Sequence, residues 1–250
     1  MIFKLDDEAM RVAVGLRLGM DLCQPHQWRC GSLMDARGLN SFVCKRALGR
    51  TARHHAPNDL ITRSFAFARV PVTKEPVGLF RTDRKRLDGL TLIPWQSGNS
   101  SCWDITITCP LAELYIKGTT REAGSTAEMV ASCKEEKYIA IEPRHIFQPI
   151  EMEKLGIFSF SARQLLSSLG HRISTGSGEA KETCFFFQRI LVLLQCFDAV
   201  LLHDCLPALD CVDWVSYLFV SFFRIFFSNP SGTYLPRVYK IIIISLKGAN

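Results

Sequence analysis

The chain predicts a mixed α/β core. Three observations carry this: helix-type periodicity precedes three β-type segments, a helix follows them, and a further strand precedes two more helices. The first helix is expected over residues 6–19, with Asp6 as N-cap and apolar residues dense from Ala9 onward. Residues 23–44 read as short and turn-rich. From Asn58 a second helix is expected, because Leu60, Ile61, Phe65 and Ala68 fall on one face. The strand-type segments are 70–74, 89–93 and 103–108. In the last, Trp103, Ile105 and Ile107 share one face, and Asp104, Thr106 and Thr108 share the other. Residues 126–138 read as a helix, 145–150 as a strand, and 162–169 and 182–202 as helices.

At 250 residues the chain can bury a sizeable core. Its net charge of +6 is unevenly spread. Lys45, Arg46, Arg50, Arg53, His54 and His55 form one basic cluster, and Arg81, Arg84, Lys85 and Arg86 form another. Such clusters suit a phosphate backbone. The N-terminus turns acidic at once and offers no secretory h-region. With no such signal, the 10 cysteines point to thiols in a reducing compartment rather than to disulfides. An intracellular protein is expected, and a DNA substrate would place it in the nucleus. Residues 206–250 look unrelated to the rest. The apolar run 214–227 is interrupted by Arg224 and falls short of the ~20 residues that a spanning helix needs, so membrane insertion is not expected.

Chemistry concentrates between Lys74 and Thr108, where Glu75, Asp88 and Asp104 sit among lysines and arginines. Aspartate is depleted from strands, so Asp104 in mid-strand asks for a reason. A hairpin with residue 104 opposite residue 90 would make Asp88 its diagonal neighbour, and two carboxylates could lean toward one cation. Hard oxygen ligands suit Mg²⁺ or Mn²⁺.

The series Lys74-Glu75-Pro76, Lys85-Arg86-Leu87-Asp88-Gly89-Leu90-Thr91 and Trp103-Asp104-Ile105-Thr106 resembles the restriction-like endonuclease region that ends non-LTR retrotransposon reverse-transcriptase polyproteins. So do Arg53-His54, Asn58-Asp59, Leu169-Gly170-His171-Arg172 and Phe187-Gln188-Arg189-Ile190. The resemblance implies a restriction-endonuclease-like α/β core, a mixed sheet flanked by helices, over residues 57–205. Ahead of it, residues 1–56 would hold a helix and a Cys/His-rich segment. It implies an enzyme that nicks DNA in a Mg²⁺-dependent way so that the exposed end primes reverse transcription. Its partners would be DNA, a reverse transcriptase and an RNA template, with no small-molecule cofactor. Asp88 and Asp104 match the metal-binding acids and Glu75 a supporting acid. Leu87 stands where the family has proline, and Thr106 where it has lysine; Lys134 or Lys137 would supply the amine. Lys45, Arg46, Arg53, Arg84, Lys85 and Arg86 would contact nucleic acid. The family's zinc-knuckle-like motif has Trp28 and Asn40 in place of ligands here, leaving Cys23, Cys30, Cys44 and His54 for Zn²⁺. The rival expectation is a non-catalytic nucleic-acid-binding remnant of such a polyprotein.

Overall fold

The computed structural model describes residues 5–47, 49–79, 86–139 and 145–206. Arg81, Arg84, Lys85 and the tail from residue 207 lie outside them. Helix α1 (Asp7–Leu18) starts where Asp6 accepts the Ala9 N–H at 2.6 Å, and Gly19 ends it in the left-handed region. A two-residue hairpin, β1 (His26–Gln27) and β2 (Leu33–Met34), and the short α2 (Leu39–Val43) follow.

Helix α3 spans Gly49–Phe67 and so begins nine residues before the expected Asn58. Pro57 lies inside it. Proline usually marks a first turn, because it lacks the N–H that an interior turn needs. Here the burial of Ala56, Ile61 and Phe65 offsets that loss. The helix therefore crosses the expected boundary at residue 56.

Three antiparallel strands come next: β3 (Val72–Lys74), β4 (Gly89–Thr91) and β5 (Ser100–Thr108). Between β4 and β5, Ser97 and Gly98 both have positive φ in a tight turn closed by the Gln96–Asn99 bridge. After a short α4 (Ile116–Thr119), helix α5 (Ser125–Tyr138) crosses over and β6 (His145–Glu153) pairs parallel with β5 along its whole length. The result is a mixed four-strand sheet, ordered β3-β4-β5-β6 and flanked by helices. Helices α6 (Phe160–Ser177) and α7 (Glu182–Cys205) complete the described chain.

The expected faces of β5 hold. Trp103 and Ile105 are buried with Ile150 and Met152 of β6 against Ile61 and Phe65 of α3, Leu166 of α6 and Phe186 of α7. Phe65 stacks on Trp103 at 4.9 Å between ring centroids. Gly170 lets α6 and α7 approach, since a Cβ there would meet the Thr183 Cα at 3.0 Å. Arg172 lies over the Trp95 ring at 3.9 Å and donates to the Trp95 carbonyl, which ties α6 to the β4–β5 connection.

The opposite face carries Asp104 and Thr106 toward α5. Two acids of β6 anchor that helix: Glu153 accepts the Ala127 N–H in its first turn, and Glu151 lies 2.6 Å from Lys134 Nζ in its third. Helix α7 is long and apolar enough to cross a membrane, with a mean hydropathy of 1.8. Most of its apolar side chains are buried in the core, packed against α1, α2, α3 and α6.

Candidate metal centre

The pairing that builds the centre differs from the expected one by two residues. Leu90 pairs with Cys102 and Gly89 with Trp103, and Asp88 lies just ahead of the paired residues, close to Asp104. Extra residues on the β4 side of the connection, around Pro94, cause the shift. The Asp88 N–H donates to the Trp103 carbonyl at 2.9 Å and ties Asp88 to β5. Gly89 has to be glycine here, because a Cβ would overlap the Trp103 indole.

Asn58 of α3 clamps this corner. Its amide donates to the Asp88 carbonyl, and its oxygen accepts the Trp103 indole N–H, both at 3.1 Å. One helical turn earlier, His54 Nε2 lies 3.4 Å from Asp88 Oδ2. The same carboxylate oxygen accepts the Ile105 N–H at 2.6 Å. Ligand atoms of His54, Asp88 and Asp104 all lie within 4.8 Å of one another, which makes these three a possible metal-binding cluster.

Lys134 of α5 closes the other side. Its Nζ lies 3.0 Å from Asp104 Oδ2 and 2.6 Å from Glu151 Oε1, and it donates to the Asp104 carbonyl at 3.2 Å. Tyr138, one turn on, donates to Asp104 Oδ2 at 3.2 Å while stacking on Phe147. Lys134 thus approaches the second acid where the sequence has Thr106 instead of lysine.

Charge in this corner is crowded. Burial pushes the Asp104 carboxyl up; Lys134 opposes this and the nearby Asp88 adds to it. Burial also acts on Asp88, but the His54 ring and the Ile105 N–H outweigh it and hold that carboxyl below its usual range. The hydrogen bond with Asp88 raises the His54 pKa against the effect of burial. Glu151, fully buried, is pushed up to about 7 by desolvation despite Lys134.

Other expected site residues fall elsewhere. The Glu75 carboxylate is outside the His54–Asp88–Asp104 cluster and lies 3.6 Å from Arg86, both about half exposed; its N–H donates to the Asp88 carbonyl. Lys137, three residues after Lys134 on α5, is exposed. Arg53 is buried and donates to the Phe42 carbonyl, so it offers no phosphate contact. Lys45 and Arg46 are exposed, while Arg84 and Lys85 lie outside the described residues.

The expected zinc set is divided. Cys23, Cys30 and Cys44 pack around Trp28, Met34 and Cys205, and the Cys23 thiol donates to the Asp35 carbonyl. His54 is absent from this group because α3 already carries it to the carboxylates. The sequence reading did not single out Glu151 or Tyr138, and it grouped His54 with the cysteines, whereas the structure sets it beside Asp88. The acidic alternation Glu151, Glu153 in an apolar run was the available signal for the first. No family model matches the chain, and no curated protein matches it.

Proposed function

We propose that this chain is a divalent-metal-dependent DNA endonuclease domain with a restriction-type core, in which Asp88 and Asp104 hold the ion. The observation that carries the proposal is the convergence of His54, Asp88 and Asp104 within 4.8 Å, with the Lys134 ammonium 3.0 Å from Asp104. The donor set fits a hard divalent cation. Two partly buried carboxylates face each other, and a cation between them would relieve the repulsion that helps raise Asp104. Asp88 and Asp104 would hold Mg²⁺ through oxygen, and the His54 nitrogen makes the set better suited to Mn²⁺ than an all-oxygen site.

Such an ion, once bound, lowers the pKa of coordinated water and neutralises charge on a phosphodiester. The chain's own groups do the rest. Ile105 N–H and Asn58 fix the orientation of Asp88, Tyr138 orients Asp104, and Lys134 offers N–H donors to a developing negative charge. Exposed Lys45, Arg46 and Arg50 flank the start of α3, four residues ahead of His54 at the nearest, and suit a backbone phosphate track. The sequence resemblance supports a retroelement setting in which the nick primes reverse transcription.

Supercoiled plasmid incubated with the protein and Mg²⁺ or Mn²⁺ tests this. Nicking by wild type that Asp104→Asn abolishes is expected. Equal nicking by both proteins, or by neither, rejects the assignment. DNA retardation without nicking would instead favour the binding remnant.

A further inference from the structure

Glu151 is an acid with no solvent, placed on β6 opposite Thr106 by the parallel pairing. Its carboxylate meets Lys134 at 2.6 Å, closer than Asp104 at 3.0 Å, so one ammonium lies between two carboxylates. A lysine pairing with Asp104 alone would compete with any cation that Asp104 is to bind. Nothing in the sequence motifs requires an acid at residue 151.

We infer that Glu151 is a positioning residue that holds Lys134 beside the centre while leaving Asp104 available to a divalent cation. This rests on the proposed metal-dependent reading of the same site and goes beyond it. A dication at Asp88 and Asp104 supplies the charge compensation that Lys134 gives Asp104. The ammonium keeps Glu151 and the Asp104 carbonyl as partners, and its third N–H is left for developing phosphate charge. The rigidity comes from β6. Glu153, two residues on and on the same face, fixes the first turn of α5, so the helix cannot carry Lys134 away. Without the Glu151 charge, Lys134 closes on Asp104 and opposes the metal.

Mn²⁺ binding measured by calorimetry on the full chain tests this in wild type, Glu151→Gln, Lys134→Met and the double variant, with Asp104→Asn as control. Glu151→Gln is expected to weaken Mn²⁺ binding about fivefold or more, whereas in the Lys134→Met background the same change alters it less than about twofold. Glu151→Asp keeps the charge but shortens the reach, so its affinity falls between wild type and Gln; it decides the matter where Gln does not fold. An equal effect in both backgrounds, or wild-type affinity in Glu151→Gln or Glu151→Asp, overturns the role of Glu151 and leaves the metal reading standing. No Mn²⁺ binding by wild type, or unchanged binding by Asp104→Asn, rejects the metal reading and this inference with it.

Discussion

Asp88 Oδ2 accepts the backbone N–H of Ile105 at 2.6 Å, so the acid ahead of β4 is bonded to the residue that follows the acid of β5. A carboxylate that would bind metal is also a structural acceptor for a buried donor. Removing it leaves that N–H unsatisfied. Asp88→Ala is therefore expected to lose about 1–3 kcal/mol of stability in urea unfolding. Asp104→Asn should lose less, since among the described residues no backbone N–H bonds to its side chain. This makes Asp104 the cleaner position for activity tests.

The contact between His54 and Asp88 carries a pH signature. A raised folded-state pKa for histidine means its contribution is fully present below the unfolded value near 6.5. It is lost as pH rises through the folded pKa. Nuclear magnetic resonance titration of the ring should find His54 above 6.5, and Asp88→Asn should bring it down. A His54 value unchanged by that substitution would show that the pairing is absent in solution.

Glu151 gives the opposite kind of linkage. Its carboxyl titrates near 7 in the folded chain against 4.5 for the free group, so between those values the folded state holds the extra proton. Stability then falls as pH rises from about 4.5 to about 7, by at most about 3 kcal/mol. Glu151→Gln should flatten the profile in that window. A profile identical to wild type would contradict the burial of this acid.

Gly89→Ala probes the Trp103 contact. The indole covers Gly89 and is itself pinned by Phe65 and by the Asn58 oxygen. It cannot swing aside, so the cost should reach the upper part of the ~1–3 kcal/mol typical of overpacking. Thermal unfolding would register this as a clear fall in Tm, whereas a turn-only role for glycine would spare it.

A second buried pair, Lys154 with Asp198, ties the end of β6 to α7. Both groups are out of solvent, and burial lowers the Lys154 pKa to about 8 although Asp198 opposes it. Lys154→Met should cost about 3–5 kcal/mol by leaving Asp198 charged and short of a partner. Equal stability of the variant and wild type would mean that Arg17 and Arg53, the other cations near Asp198, suffice.

Much of the architecture was legible along the chain. The alternation over 103–108 foretold both faces of β5, and Asp6 marked the first helix start within one residue. Helix α3 was expected to start only at Asn58, where its apolar face begins, because its N-terminal half has charged residues instead of an apolar stripe. Its burial against α7 makes it helical. The hairpin register was two residues out because the connection holds more residues on one side than on the other. Turn residues alone do not reveal that asymmetry.

By itself the sequence determined the order of the larger elements, the inward and outward faces of β5 and the identity of the two aspartates. These follow from local periodicity and residue chemistry. Tertiary structure decided the company those aspartates keep. His54 arrives because α3 starts early, Lys134 because α5 lies over the sheet, and Glu151 because β6 pairs parallel to β5 with Thr106 opposite it. Parallel pairing across a helical crossover has no local signal, since its register is set by how α5 packs on the sheet.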